Sequence, residues 1–381
     1  MAVSQINFAR IDADVLLVGG GHAHVAVLAD WIRRGVPQGA RAVLLTPDPA
    51  LRYSGMVPGW LAGQHEIGDG LVDLVGLAAR AGVELVLDRC AALDPEARRV
   101  KTAGGQEIAF NIASFDTGGE GRGAALLGKD PRIVDVRPIG AFVERLAGLR
   151  ASRQGLPRVV IAGGGAGGVE LAFGLRNLAG AAPRPQVTLA TGTSGLLLGF
   201  ADVVRRRVAK ALARQGIAVL EAEAAFERGT PVAGGQWLEP VDLIIAATGS
   251  AAPGWGRASG LETDAEGFIA VDAHQRSVSH PHIFAAGDVA ARLDRALPHS
   301  GVHAVFAGPV LAANLRSVVG GDVPQATYHP RRHSLYILNT GDGSAIASYG
   351  PFSAEGRWVL ALKHRIDKAW IAQYAGLAAK Q

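Results

Sequence analysis

One cysteine, Cys90, is all the sulfhydryl chemistry this 381-residue chain has. An intrachain disulfide and a Cys-x-x-Cys redox pair are excluded, and with them any reaction that cycles a protein dithiol. Cys90 lies in "ELVLDRCAAL", at the end of an expected strand, and reads as a core thiol. Long hydrophobic runs are missing as well. No stretch of eighteen or more apolar residues occurs, so no membrane-crossing helix is expected. The opening "MAVSQINFARIDAD" lacks the charged-then-apolar layout of a signal peptide, which sets the expectation of a cytoplasmic protein. Charge of one sign is scarce: the formal net charge is only +4, too mild and too dispersed to argue for a nucleic-acid partner.

What the chain does have is apolar residues and glycine. With 49% hydrophobic and 19% charged residues it can bury a large core, and its length allows two domains. Its 51 glycines point to many tight turns and close backbone approaches. Two of the glycine clusters share a plan. "VGGGHAHV" (18–25) follows the apolar run "DVLLV", and "RVVIAGGGAGGVELAFGL" (158–175) follows another; each reads as strand, glycine turn, helix. The second carries the full G-x-G-x-x-G as Gly163, Gly165 and Gly168. In such a turn the first glycine permits the bend, the second admits a diphosphate to the backbone, and the helix start offers free N–H groups to the anion. Two copies in one chain point to a repeated nucleotide-binding unit. In the first copy, Gly19, Gly20, Gly21, His22 and Ala23 form the turn, and His24 replaces the third glycine. A His-x-His metal site is the weaker reading. His22 and His24 are two apart at a helix start, so they face different ways, and no acidic or cysteine cluster accompanies them; no metal is expected.

Further landmarks fit the same plan. "ASFDTGG" and "LIIAATGS" are strands ending in Thr117–Gly118 and Thr248–Gly249, turns that lead the chain out of each unit. In "HPHIFAAGDVA" a strand ends at Gly287–Asp288, and a carboxylate there can accept hydrogen bonds from ribityl or ribose hydroxyls. "LPHSGVHAVFAGPVLAANL" reads as a helix opening near Ser300. The backbone of Ser300, Gly301 and Val302 then faces its positive end toward a ring carbonyl that gains negative charge.

This arrangement resembles the two-dinucleotide-binding-domain flavoproteins of the pyridine nucleotide–disulfide oxidoreductase superfamily, and within it the type II NADH dehydrogenase-like branch. Closer still is the flavoprotein module often fused ahead of selenophosphate synthase. The matching stretches are "GGGHAHV", "RYSGMVPGWLAG", "GGGAGGVELA", "IFAAGDVA", "GVHAVFAGPVLAANL" and "GRWVLALKHRID", spread over residues 14–375. The resemblance implies an α/β fold of two Rossmann-like dinucleotide-binding domains with a C-terminal α+β segment. An FAD domain would use 12–125 and 256–320, an NAD(P) domain 126–255, and the tail 321–381 would add strands ("RHSLYILNT", "SAIASYG") and an amphipathic helix. Independently, the continuous apolar runs at both glycine turns suit parallel sheets, and "LDPEARRVKTAGGQEIAF" reads as an inserted hairpin.

The sequence also departs from the family. Where members with an active disulfide carry two cysteines beside the flavin, this chain has "YSGMVPGW", so disulfide and sulfide:quinone chemistry are not expected. The acid that usually binds the adenosine ribose after the first turn is replaced by Thr46, with Asp48 two residues on. After the second turn Ala190 and Thr191 stand in that place, so NADH, NADPH and no nicotinamide all stay open. The resemblance puts Glu170 near the flavin–nicotinamide junction. His299 and His303 flank the last helix start, where the related module has lysine and tyrosine; a histidine there can carry pH-dependent charge beside a reduced flavin. In the tail, Val359, Leu362, Ile366 and Trp370 recur at helical spacing, with Arg357, Lys363, Arg365 and Lys368 mostly off that stripe. Residues 357–375 therefore form either a helix docked on its own body or on a dimer mate, or a basic helix lying on the inner face of a membrane.

The expected function is that of an FAD-dependent oxidoreductase passing electrons from NADH or NADPH to a small acceptor such as a quinone. Two alternatives stand beside it. One is a flavoenzyme with a non-nicotinamide donor from selenium or sulfur metabolism, and the other is a redox-sensing flavin-binding protein with little turnover.

Overall fold

The structure, a computed structural model, describes residues 10–151, 158–227 and 230–379. Its first unit begins with β1 (Ile11–Val18), which enters the glycine turn and helix α1 (His22–Arg34). Then come β2 (Ala42–Thr46), α2 (Leu74–Ala81) and β3 (Glu84–Leu87). The inserted hairpin is an antiparallel meander, β4 (Cys90–Asp94) and β5 (Arg99–Thr102), leading into β6 (Glu107–Phe115). The strand order is β3-β2-β1-β6-β5-β4, with β1, β2, β3 and β6 mutually parallel. β1 alternates buried and exposed at its start and is wholly buried from Val15 on, because both faces are covered there.

The second unit is a parallel sheet built from β7 (Ile133–Asp135), β8 (Arg158–Ala162), helix α3 (Ala166–Arg176), β9 (Gln186–Ala190), β10 (Ala218–Leu220) and β11 (Leu243–Ala246). The strand order is β10-β9-β8-β11-β7. The chain then returns to the first unit. β12 (Ile283–Ala285) pairs in parallel with the end of β6, and helix α4 (Gly301–Val319) packs along α1. In both sheets the carboxyl ends align: Val18 lies beside Leu45 and Phe115, and Ala162 beside Ala190 and Ala246. Each crevice thus opens where parallel sheets hold their ligands.

α4 is the helix that bears on the expectation of no membrane-crossing segment. At 19 residues and mean hydropathy 1.4 it is long and apolar enough to cross a membrane by length and composition. The helix is instead packed here through Ala304, Ala307, Gly308, Leu311 and Leu315, and its buried Asn314 donates to the carbonyls of His274 and Ala326. One face of the helix is thus buried against the body, while Phe306 on it is exposed.

The tail is an antiparallel meander, β13 (Leu335–Asn339), β14 (Ala345–Tyr349) and β15 (Phe352–Gly356), followed by helix α5 (Arg357–Ala378). It ties the two units together. Leu338 and Ile346 join the core of the second unit, while Tyr374 packs into that of the first. The short helix Val57–Leu61 is a second tie: Val57, Trp60 and Leu61 pack among Leu171, Phe173 and Leu175 of α3.

Candidate functional site

The first glycine turn is closely fitted. Gly19 has φ +95°, and a Cβ there would strike the backbone of Asp116. His24, in the third-glycine position, is fully buried. Its Nδ1 lies 2.6 Å from the Gly19 carbonyl and its Nε2 2.8 Å from Ser114 Oγ. A carbonyl cannot donate, so Nδ1 carries the proton and Nε2 accepts from the serine. The helix keeps its place because the imidazole lies sideways and bonds both the glycine turn and β6. With both ring nitrogens spent, His24 is not available to a metal. Burial lowers it to about 4, against the Gly19 hydrogen bond.

His22 turns the other way. Its ring lies 5.1 Å from Trp370 and 5.7 Å from Tyr53, which stack on each other at 4.9 Å. Burial lowers His22 to about 4, and Nε2 has no partner. Among the buried hydroxyls without partners are Ser300 Oγ at the cap of α4 and Thr248 Oγ1 in the second exit turn. Gly301 faces the His22 ring, and Val302 follows it into the helix.

The flanking residues take less uniform places. Thr46 ends β2, buried, with its hydroxyl donating to the Asp48 carbonyl at 3.4 Å, while Asp48 is exposed. Thr117 is exposed, its hydroxyl on the Gly118 carbonyl. Gly287 takes φ +69° and sets Asp288 into the site, where Asp288 accepts from Arg137 Nη2 at 2.6 Å. Arg137 comes from the second unit, so this pair crosses the interface. So do the two exit turns: Glu120 and Ala251 exchange backbone hydrogen bonds of 2.8 and 2.9 Å. His299 stacks on Phe268 at 4.0 Å, and His303 Nδ1 lies 2.8 Å from Tyr328 Oη. Both histidines line a small cavity with Asp288, Gln275, Arg292 and Tyr328.

In the second turn a Cβ at Gly163 would strike the Ala247 carbonyl, and one at Gly168 the Gly163 carbonyl, so both glycines serve close packing. Gly165 differs: nothing lies within 4 Å of its Cβ position, which leaves room for a ligand. Thr191, at the end of β9, is buried and bonded to the Leu220 carbonyl. A carboxylate stands near this place, contributed by the loop after β10. Glu223 Oε1 accepts from the N–H and hydroxyl of Thr193 at 3.3 and 3.4 Å.

Glu170 sits on α3, where Oε1 accepts the Asn339 N–H at 2.9 Å and lies 3.9 Å from Lys363 Nζ. Lys363 is 3.3 Å from Asp367 Oδ2, an ion pair without a well-directed hydrogen bond, and Tyr53 Oη donates to Asp367 Oδ1 at 3.2 Å. Burial alone would lower the Lys363 ammonium, but Glu170 and Asp367 outweigh it and its pKa is raised. Burial also raises both carboxyls, against the pull of Lys363. The result is one buried cation between two acids, joining both units and the tail. Lys363, Asp367, Arg137 and Asp116 escaped the sequence reading. In the sequence Lys363 is only a base off the apolar stripe, and Asp116 lies inside the exit turn "ASFDTGG" itself.

Two strand–glycine-turn–helix units tied together by the tail, in a chain whose single cysteine rules out a dithiol, define an oxidoreductase of the two-domain flavoprotein class. Residues 13–308 match the family described as pyridine nucleotide-disulphide oxidoreductase, and the chain belongs to it. Ferroptosis suppressor protein 1 of Taeniopygia guttata is 23% identical over 308 residues, 73% of this chain and 76% of that protein. Among solved structures, a sulfide:quinone oxidoreductase from Aquifex aeolicus is similar with a TM-score of 0.74 at 17% identity, over 96% of this chain and 92% of that one. An NAD-dependent persulfide reductase from A. fulgidus is similar with a TM-score of 0.72 at 20% identity, over 89% and 64%. At such identities these structures speak for the fold.

Proposed function

We propose that this protein is an FAD-dependent NADH oxidoreductase that delivers electrons to a small acceptor, a quinone being the best fit. The observation that carries the reading is a pair of unpartnered buried polar atoms beside the first glycine turn, His22 Nε2 and Ser300 Oγ at the start of α4, whose Gly301 faces the His22 ring. Such atoms are costly unless a ligand satisfies them, so the residues present fit a flavin dinucleotide. Gly19–Gly21 and the α1 start would hold its diphosphate, Asp288 its ribityl chain, and the Ser300–Val302 backbone the ring edge. When bound, FAD supplies the hydride acceptance and electron release that no side chain here offers.

The chain's own residues position, exclude water and hold protons. Gly165 leaves the second diphosphate its place at the α3 start. Glu223 sets a carboxylate beside Gly192 and Thr193, which repels a 2′-phosphate and favours NADH. Tyr53 and Trp370 stack on each other beside the His22 ring and shield the first turn from water. Lys363 Nζ holds a proton between Glu170 and Asp367, and Asp367 in turn accepts from Tyr53 of the aromatic stack. A quinone acceptor also suits the outer face of α5. Trp358, Leu362 and Ile366 are exposed there, flanked by Arg357, Arg365 and Lys368, a pattern that fits a lipid surface on the cytoplasmic side.

The test is an anaerobic titration of the purified protein with NADH and then NADPH, following the visible flavin band. Bleaching by NADH at lower concentration than by NADPH is the expected result. A yellow protein that neither reagent bleaches would shift the reading to a different donor or to a sensor. A colourless protein that takes up no FAD would end the flavoprotein account.

A further inference from the structure

The two exit turns are equivalent in sequence and place, yet differ at one residue. Thr117–Gly118 and Thr248–Gly249 are preceded by Asp116 and by Ala247. The equivalence is structural as well: a Cβ on Gly19 would strike the Asp116 carbonyl, as one on Gly163 would strike that of Ala247. The second unit meets its helix start with a methyl group. The first meets it with a carboxylate. Asp116 Oδ2 accepts from the N–H groups of Ala23 at 2.7 Å and His24 at 3.0 Å, and the residue is 3% exposed. A Cβ on Gly21 would collide with the same carboxylate, and one on Gly287 would come within 2.6 Å of Oδ1. The anion-binding end of α1 already holds a potential anion, in contact with the turn a diphosphate needs.

The neighbours do little to neutralise it. From α1, His22 and His24 are both lowered by burial and are neutral near pH 7. From the Gly287–Val289 turn comes Asp288, a like charge whose cation, Arg137, sits on Asp288 itself. His303 on α4 faces Asp288 and is lowered by burial. Burial pushes Asp116 up to about 7, against its two N–H bonds and with repulsion from Asp288 added. A bound diphosphate would add two further negative charges beside it.

We propose that Asp116 makes FAD binding proton-linked, the diphosphate entering the α1 cradle only with Asp116 in its neutral form. This rests on the flavin reading above. On binding, one proton moves from solvent to the Asp116 carboxyl, which keeps an oxygen for the helix N–H groups while losing its charge.

The experiment is FAD binding by the full-length protein across pH 6 to 9, read by fluorescence quenching. It is paired with calorimetry at alkaline pH in two buffers of different ionisation heat, to count protons. Wild type should bind with constant affinity below about pH 7 and weaken by up to about tenfold per pH unit above it, taking up close to one proton. Asp116→Asn should bind with flat affinity and take up none. Flat binding and no proton uptake by wild type would overturn the inference and leave the flavin reading standing. No FAD binding at any pH would overturn the flavin reading itself. If Asp116→Asn does not fold, the proton count on wild type decides alone.

Discussion

His24 illustrates how one side chain replaces a motif residue without breaking the motif. Its two hydrogen bonds join the glycine turn to β6 at the point where the first unit must hold that turn. Substituting glycine restores the family pattern yet leaves the Gly19 carbonyl and Ser114 hydroxyl unpaired and empties the imidazole's volume. We expect His24→Gly to lose about 2–4 kcal/mol in denaturant unfolding, well beyond a surface change. The pH dependence has a definite sign. The folded value of about 4 lies below the ordinary 6.5, so the unfolded chain binds the extra proton. Its contribution is complete above 6.5 and is lost as pH falls toward 4. Unfolding midpoints across that window should converge for wild type and His24→Gly; a constant gap would contradict it. Lys363 is a second residue-scale case. Lys363→Met leaves Glu170 and Asp367 buried without their cation, and both would take up protons. Turnover with a quinone should fall at least about tenfold while FAD binding is kept; unchanged turnover would remove Lys363 from the site.

At the scale of the element, α5 shows what periodicity reveals and where it fails. Helical spacing identified the helix and named Val359, Leu362, Ile366 and Trp370 as one stripe. The buried side is rotated from that stripe: Val359, Leu360, Lys363, Asp367 and Tyr374 face the body, while Trp358, Leu362 and Ile366 face outward. Counting apolar residues misplaces the face because the two charges neutralise each other and are buried as a pair. No local pattern announces that, since Glu170 and Tyr53, which complete the cluster, are far away in sequence. The outward residues carry their own prediction. Replacing Trp358, Leu362 and Ile366 together with serine should cut sedimentation with anionic vesicles at least about tenfold, with stability nearly unchanged because these side chains are exposed. Equal sedimentation would leave that face without a lipid role.

On the scale of the whole molecule, the fold was readable because each unit declares itself locally. An apolar strand, a glycine turn and a helix follow one another without interruption, twice, at 11–34 and 158–176. What joins the units was not readable. Arg137 meets Asp288 across 151 residues, and Glu120 pairs with Ala251, contacts that exist only once both sheets have formed and docked. The two turns also look interchangeable in sequence and are not so in space. A Cβ at Gly21 would collide with the Asp116 carboxylate, whereas the position at Gly165 is open and its φ of −73° suits any residue. Valine at 165 should therefore leave the protein folded and the flavin bound, but fill the second diphosphate's place. The expected outcome for Gly165→Val is a yellow protein of wild-type melting temperature whose flavin is no longer bleached by NADH, while dithionite still reduces it. Gly21→Val should instead lose stability and flavin together, because its side chain must displace Asp116 from the start of α1. If Gly165→Val bleached with NADH as wild type does, the second cradle would not be the nicotinamide site, and electrons would have to reach the flavin another way.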